Sequence, residues 1–411
     1  MTTRLLLICG VSIYLVFSVA TYGVFAFSST QSTGLLSGLA NLGGSTMVPS
    51  EDPLEREEGL RLEIDPSAPK IVACPLNGKM YTQVEADSWN TRRPLGVMIE
   101  NSLDARPQSG MGSADVVYEA VSEGGITRFL AIYYCEAQKK EVVIAPVRSA
   151  RQFFVDMISE YNRGLYAHVG GANGEDSDPR TRALENIASY GWNLTTSLNQ
   201  FSIGFPTFVR NYNRLPGRDV ATEHTMESSS EKLWAVAEKR GWTNVSPPTT
   251  VRGVTTPGSE WIDGFTPWKF QDGAGPNDRG SVTNIKHEFW SGYKAYAVEW
   301  NYDSATNQYL RVMGGQIHLD LNTNKQIAVN NVIVLQTREF PSVDIHKHNY
   351  LVTTGSGKAW IFRDGKVIEA NWAKKSREDR TIFTDTLGAE ISLTRGPIWI
   401  SVINLETTPT Y

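Results

Sequence analysis

The stretch Ala145-Pro-Val-Arg-Ser-Ala-Arg-Gln152 follows a segment typical of a strand, residues 141–145, and opens a segment typical of a helix. Ser149 and Gln152 form an S-x-x-Q pattern, which predicts that Ser149 caps the helix. The apolar side chains that follow share one face at helical spacing: Phe154, Met157, Ile158 and Tyr161. A strand, a turn and an amphipathic helix in this order indicate an α/β domain.

Two arginines occupy the start of this predicted helix. A helix N-terminus carries free N–H groups and a partial positive charge, so Arg148 and Arg151 are unfavourable there unless an anion lies between them. A bound phosphate, carboxylate or sulfate would satisfy the arginines and the N–H groups at Ser149 together. Alternatively, Glu119 or Glu123 from a neighbouring segment pairs with the arginines, and the arrangement is structural. The sequence leaves both interpretations open.

Further candidate residues lie in the same part of the chain. Arg106, Arg128 and Arg210 are second-rank ligand-binding residues, because several arginines around one site recognise a multiply charged oxyanion. If the site is catalytic, it needs a divalent ion and a base. The candidate bases are Glu119, Glu123, Asp115 and His168. No metal site or other cofactor is predicted, since the histidines and cysteines lack the spacings of metal ligands.

Residues 71–244 mix predicted strands and helices. Strands are expected at 95–100, 115–120, 127–134 and 141–145. Asp178, followed by Pro179, is expected to cap a helix that runs to about residue 188. Ser228 forms a second capping box with Glu231, and Gly241 is expected to end that helix. We therefore expect an α/β domain at 71–244.

The remainder of the chain shows no helix signals. Residues 245–265 are rich in Ser, Pro and Thr and are expected to form a linker. Beyond them, residues 266–411 contain short, often alternating segments separated by turn pairs such as Asp364-Gly365. The segments are 287–290, 294–300, 309–313, 331–336, 358–362 and 397–403. The pattern predicts a β-rich C-terminal domain, and a protein partner could dock on it.

The N-terminus carries a membrane signal. Residues 5–27 hold no charged side chain over a length that can cross a bilayer as a helix. Arg4 precedes the stretch and no charge follows until Glu51, so the positive-inside rule places the folded part outside the cell membrane. A cleaved signal peptide is the alternative, but Phe25-Ala26-Phe27-Ser28 is a poor cleavage site. We expect a single-pass anchor at 1–27, with the membrane as a partner, and a flexible spacer at 28–70.

Composition bounds the function. The chain has 411 residues and a net charge of −5, which does not fit a protein that coats nucleic acid, so no nucleic-acid partner is expected. Of the three cysteines, Cys74 and Cys135 fall in the exported part and could pair in an oxidising compartment. Two separate buried thiols are the alternative.

Five motifs in order resemble the YerB-like family of bacterial envelope lipoproteins, a two-part domain of unknown function. They are Arg93-Pro-Leu-Gly-Val-Met-Ile-Glu-Asn101, Ala105-Arg-Pro-Gln-Ser-Gly110, Ala114-Asp-Val-Val-Tyr-Glu119, Glu123-Gly-Gly-Ile-Thr-Arg128 and Pro146-Val-Arg-Ser-Ala-Arg151. The β-rich part, with Asn331-Val-Ile-Val and Trp399-Ile400, is similar to that family's C-terminal domain. The resemblance implies location and architecture rather than a reaction. The family is typically lipid-anchored through cysteine, whereas Cys9 here follows Ile8 inside the apolar run.

A looser similarity concerns the LytR–CpsA–Psr phosphotransferases, which move glycopolymers from a polyprenyl pyrophosphate carrier onto the cell wall. Strand, charged turn, strand and then Pro-x-Arg is also the order in which those enzymes build an arginine-lined pocket. The acidic residue that follows their Pro-Arg is replaced here by Ser149.

Three hypotheses follow. The leading one is an extracytoplasmic envelope protein that binds an anionic phosphorylated lipid carrier, wall polymer or glycan through Arg148, Ser149 and Arg151. The second is a phosphotransferase or a phosphodiester or pyrophosphate hydrolase at the same site. The third is a non-catalytic scaffold in which the arginines are paired internally.

Overall fold

The computed structural model describes residues 62–411. The expected membrane segment at 5–27 and most of the expected spacer at 28–70 lie outside the described residues. Within the described range, no helix combines the length and the apolar character that a membrane crossing requires.

The elements of residues 62–411 are short. The α-helices are Gln83–Trp89, Gln152–Ile158, Ala183–Ser189, Gln200–Ile203 and Ser230–Lys239. The 3-10 helices are Leu103–Ala105, Met111–Ser113, Glu136–Gln138, Ser159–Tyr161, Pro179–Thr181, Trp192–Leu194, Thr222–His224, Trp261–Gly264, Pro276–Asp278 and Lys294–Tyr296. The strands β1 to β14 are Val72–Ala73, Met80–Tyr81, Leu95–Glu100, Val116–Glu123, Ile126–Tyr133, Val143–Ile144, Leu165–His168, Ser197–Asn199, Val209–Arg210, Met226–Ser229, Thr249–Val251, Val254–Thr256, Phe270–Gln271 and Asn284–His287. The strands β15 to β28 are Val298–Asp303, Gln308–Met313, Gln316–Ile317, Leu319–Asp320, Lys325–Gln326, Ala328–Val329, Asn331–Gln336, Glu339–Phe340, Tyr350–Leu351, Gly355–Arg363, Lys366–Lys374, Ile382–Thr384, Leu393–Thr394 and Ile398–Ile403.

A ten-stranded sheet runs through both the α/β and the β-rich segment, in the order β26-β25-β24-β21-β28-β4-β5-β3-β7-β8. The two segments meet where β28 lies parallel to β4, with Ile398 opposite Val116 and Ser401 opposite Glu119. β28, from the β-rich segment, therefore pairs directly with β4, from the α/β segment.

Both faces of this sheet are covered. Alternate residues of β4 point to opposite sides, so Tyr118 packs in one apolar cluster with the helix Gln152–Ile158. Val117 packs in a second cluster with Trp300, from the five-stranded sheet formed by β14, β15, β16, β17 and β20. Because both faces are covered, all six residues of β3 are buried. A strand in this position is typically rich in apolar residues along its whole length.

The expected helix boundaries are partly correct. The carboxylate of Asp178 accepts from the N–H of Arg180, but the turn it caps is the 3-10 helix Pro179–Thr181, and the α-helix begins only at Ala183. In the helix Ser230–Lys239 the cap is Ser229 and not Ser228, since the Ser229 hydroxyl accepts from the N–H of Lys232. Gly241 follows that helix with a φ of +72°, as expected for the residue that ends it.

The β-rich content of the C-terminal segment is confirmed. The strand Asn331–Gln336 has the expected bounds, and Asp364 and Gly365 both have positive φ in the turn between β24 and β25. The expected strand at 294–300 is corrected, because Lys294–Tyr296 forms a 3-10 helix and the strand begins at Val298. Residues 245–265 hold the hairpin of β11 and β12 and a buried tryptophan, Trp261.

Cys74 and Cys135 form a disulfide, with their Cα atoms 6.1 Å apart. Beside it, the buried Asp115 accepts hydrogen bonds from the N–H of Tyr134 at 2.7 Å and from the side chain of Asn77 at 2.7 Å. Burial raises the pKa of Asp115 to about 7. Asp115 is thus held by the fold next to the disulfide, away from the predicted arginine site.

Candidate functional site

The stretch from Arg148 to Ala150 is held extended by a neighbouring segment. The carbonyl of Arg148 accepts from the N–H of Val169 at 3.0 Å, and the N–H of Ala150 donates to the carbonyl of Gly170 at 3.0 Å. The helix therefore begins only at Gln152, with Arg151 as the N-cap and no side-chain cap hydrogen bond. The predicted cap at Ser149 is wrong, because long-range backbone bonds keep the chain out of the helical conformation for two more residues.

Glu123 pairs with two of the predicted arginines. The Nε of Arg151 and the Nη2 of Arg128, the latter at 3.3 Å, contact its two carboxylate oxygens. Although burial alone would raise it, the pKa of Glu123 is lowered to about 2 by these two cations. Glu123 is therefore ionised and already paired with two arginines, as expected if the role of the arginines is structural.

Glu100 is a second partner that sequence reasoning missed. Its Oε2 accepts from the Nε of Arg148 at 2.6 Å and lies 3.5 Å from the Nη2 of Arg128. The residue is only 2% exposed, and the two arginines lower its pKa against the opposing effect of burial. The signal in the sequence was an acidic residue at the end of a strand that is otherwise apolar.

These five side chains form an arginine cluster: Arg128, Arg148, Arg151, Glu100 and Glu123. Its three cations and two carboxylates leave a formal charge of +1. Arg148 uses only its Nε, and its two Nη atoms have no hydrogen-bond partner among residues 62–411. The Arg148 side chain is 28% exposed. The part of the cluster that can still bind a ligand is therefore the pair of Nη groups of Arg148, at the solvent-facing side.

The other predicted arginines lie outside the cluster. Arg106 donates to the carbonyl of Ala295 at 2.9 Å and stacks on Tyr296 at 4.8 Å. These contacts connect the α/β segment to the β-rich segment. Arg210 is exposed and donates to the carbonyl of Thr222. Neither contacts Arg148.

The candidate bases Glu119 and His168 are buried. Glu119 pairs with Arg311 at 2.6 Å, and neither side chain is exposed. The ring of His168 contacts the carbonyl of Gly170 at 2.7 Å and the hydroxyl of Ser197 at 2.9 Å. Burial lowers the pKa of His168 to about 4, so it is neutral at physiological pH. Both Glu119 and His168 therefore make contacts that stabilise the fold.

Phe201 is an exposed aromatic side chain close to the Arg148 stretch, and Phe205 follows it along the chain. Asn199 accepts from the N–H of Gly170 at 3.1 Å and from that of Phe201 at 3.2 Å, which fixes the start of the short helix Gln200–Ile203. The ring of Phe201 lies over Gly170, where a Cβ would be 2.9 Å from it. Phe201 is nevertheless 77% exposed and Phe205 is 83% exposed. An apolar surface thus lies next to the backbone that carries Arg148.

Family models match both parts of the chain. The model of the N-terminal domain of DUF3048, a family of proteins of unknown function, matches residues 81–243. The model of the DUF3048 C-terminal domain matches residues 285–400. The chain belongs to this family. It thus has the family's two-part architecture, and the resemblance drawn from the five motifs is confirmed.

One similar protein is named "Putative lipoprotein YerB", from Bacillus subtilis, with 27% identity over 82% of this chain and 88% of its own length. The crystal structure of the YerB protein from Bacillus subtilis aligns with a TM-score of 0.63 and 25% identity, covering 83% of this chain and 100% of that one. The fold and the order of the two parts are therefore shared with YerB.

Proposed function

We propose that this protein is a membrane-associated, extracytoplasmic envelope protein that binds an anionic ligand, a phosphorylated lipid carrier or wall polymer, at the face around Arg148. The lipoprotein name of its Bacillus subtilis relative supports the envelope location. The disulfide between Cys74 and Cys135 is consistent with an oxidising compartment.

The observation that carries the proposal is the free end of Arg148. Glu100 orients its Nε, while both Nη atoms stay unbonded within residues 62–411 and partly exposed. A guanidinium held at one edge is pre-organised to donate to an oxyanion with its other edge. The formal +1 charge of the cluster adds attraction for an anion.

The exposed rings of Phe201 and Phe205 favour an amphiphilic ligand. Large apolar side chains that are more than three-quarters exposed gain free energy when a ligand covers them. A phosphorylated lipid would present its head group to Arg148 and its chain to these rings. A wall polymer would engage Arg148 with its phosphate alone.

A scaffold without a ligand is the second candidate, because Glu123 already pairs with both Arg128 and Arg151. The two functions differ in what Arg148 contributes. In a scaffold its pairing with the buried Glu100 is part of the fold, whereas for a ligand-binding protein the ligand is the main partner.

The test is native mass spectrometry of the full chain, purified in detergent from its own membranes, beside Arg148→Ala. We expect a retained phosphorylated adduct in the wild type that is lost in Arg148→Ala. We expect little loss of stability, because Glu100 keeps Arg128 as a partner. Arg338→Ala is the control, since Arg338 is exposed and has no ion-pair or hydrogen-bond partner for its side chain among the described residues.

A third variant distinguishes the two ligand sources. Phe201→Ala should lower the retention of a lipid adduct and leave a polymer adduct unchanged. A clean mass for the wild type, together with a strongly destabilised Arg148→Ala, would reject ligand binding here and favour the scaffold.

A further inference from the structure

A separate cleft of about 510 Å³ lies on the side of the chain where residues 163, 194–195 and 240–250 meet. The described residues of its wall include three arginines, Arg93, Arg163 and Arg240, and no aspartate or glutamate. The rest of the lining is largely apolar and includes Trp242. We call this the arginine cleft.

Arg93 is a buried cation that has no carboxylate partner among residues 62–411. It is 3% exposed, and its three donor nitrogens bind only neutral carbonyl groups. These belong to Trp242 at 3.3 Å, Arg163 at 3.0 Å and Thr195 at 2.9 Å. Burial and then the like charge of Arg163 lower the pKa of Arg93 to about 10. Buried charges in proteins are usually paired with an opposite charge, and Arg93 departs from this pattern because its described partners are all neutral.

Arg163 adds a second positive charge in an uncommon backbone conformation. Its φ is +68°, which non-glycine residues adopt rarely and which recurs at ligand-binding positions. Its Nη2 donates to the carbonyl of Ser259 at 2.9 Å. Burial lowers the pKa of Arg163, and the negative charge of Asp263 opposes this in part. The carboxylate of Asp263 also accepts from the N–H of Glu260 at 3.0 Å. Asp263 therefore offsets part of one charge and is not in the wall of the cleft.

Arg240 is exposed and available. Its guanidinium stacks over Trp242 at 4.9 Å and makes no ion pair or side-chain hydrogen bond with the described residues. Stacking leaves the N–H groups at the rim of the plane free to donate. With Asp263 counted against the three arginines, the cleft keeps a formal charge of +2.

We propose that the arginine cleft is a second binding site, for a ligand that carries a phosphate or pyrophosphate group. Arg163 and Arg240 come from different segments of the chain and would bind different oxygens of the group, while Arg93 supplies the uncompensated charge beneath them. Multiply charged oxyanions suit several guanidinium groups better than a single carboxylate does. Leu194, at 80% exposed, and the prolines at 247 and 248 would contact the remainder of the ligand.

The test is calorimetric titration of the full chain in detergent with inorganic pyrophosphate. We expect saturable binding that weakens with added salt, and an affinity about tenfold lower in Arg163→Ala and in Arg240→Ala. The control Arg338→Ala removes the same charge from another exposed position and should bind as the wild type does. Arg148→Ala should also bind normally, which separates this site from the one in the proposed function.

Two results would overturn the proposal. One is wild-type affinity in the double variant Arg163→Ala/Arg240→Ala, and the other is a loss of binding in Arg148→Ala alone. If the double variant does not fold, Arg240→Ala decides by itself, because Arg240 is exposed and its change removes only a stacking contact.

Vesicles that contain phosphatidic acid identify the source of the phosphate. Flotation with these vesicles that depends on Arg163 and Arg240 supports the cleft and assigns it a lipid head group. Pyrophosphate binding that needs both arginines, without such flotation, supports the cleft and assigns it a soluble phosphate ester.

Discussion

Glu339 shows how a single half-buried carboxyl group can make the whole protein sensitive to pH. Both of its oxygens accept from the indole N–H of Trp290 at 3.0 Å, and one accepts from the side chain of Asn349 at 2.8 Å. It has no ion pair within residues 62–411. Burial dominates and, together with the negative charge of Glu406, raises its pKa from 4.5 to about 7 against the opposing effect of the hydrogen bonds that it accepts.

The sign of the effect on stability follows from this direction. A carboxyl group whose pKa is raised by folding stabilises the native state fully below its unfolded pKa and ceases to do so as pH rises through the folded pKa. We therefore expect the free energy of unfolding of the wild type, relative to Glu339→Gln, to fall as pH rises from 4.5 through about 7. Urea unfolding at a series of pH values measures this difference. Asp115, with its own raised pKa, is present in both proteins and cancels. A difference that is flat over this range would contradict the prediction.

Pairing between residues could be predicted only in part. The sequence indicated Glu119 or Glu123, from neighbouring segments, as a partner for the arginines. Glu123 does pair with Arg151 and Arg128, whereas Glu119 pairs with Arg311. The sequence did not indicate Glu100, which is opposite Arg128 only in the register between β3 and β5. Strand register is set by the whole sheet, so a partner in another strand is not visible in local sequence.

At the scale of elements, the turn at Gly110 depends on a close approach between two segments. Its φ is +87°, and a Cβ there would lie 2.6 Å from the carbonyl oxygen of Val143. Its N–H donates to the carboxylate of Asp320 at 3.2 Å. The glycine thus lets the loop after β3 pack directly on the backbone of β6.

We expect Gly110→Ala to destabilise the protein more than Gly191→Ala does. Gly191 has a φ of +72° but open space where a Cβ would be, so both variants carry the left-handed strain of about 1 kcal/mol. The contact with Val143 should add about 1–3 kcal/mol in Gly110→Ala alone. Urea unfolding of the two variants measures the difference. Equal losses would mean that the β6 backbone moves aside without cost.

Strands were predicted better than helix starts for a physical reason. The strands Leu95–Glu100 and Asn331–Gln336 are apolar runs bounded by polar or turn residues, and the structure gives both the expected bounds. The helix after Arg151 starts late because residues 148–150 bond to a segment about 20 residues further along the chain. Capping patterns describe local hydrogen bonds, and a long-range backbone bond can override them.

At the scale of the molecule, the two family domains are joined by the sheet and by an ion pair. Arg311 of β16 lies between Trp300 and Trp399, at 5.0 Å and 4.1 Å, and pairs with Glu119 of β4. The pair thus links the five-stranded sheet of the C-terminal part to the centre of the shared sheet. The sequence predicted two domains in order but held no sign of this joint, since β4 and β28 are nearly 300 residues apart.

This joint implies that residues 62–411 unfold together. We expect one thermal transition, with far-ultraviolet circular dichroism and tryptophan fluorescence coinciding, because separating β28 from β4 would open the interior of the shared sheet. Glu119→Gln leaves the Arg311 charge buried without its partner and should lower stability by about 3–5 kcal/mol. Because Glu119 lies at the joint, the single transition should move to lower temperature as a whole. Two separate transitions in the wild type, or a shift in only one of two transitions in the variant, would show that the two parts fold independently.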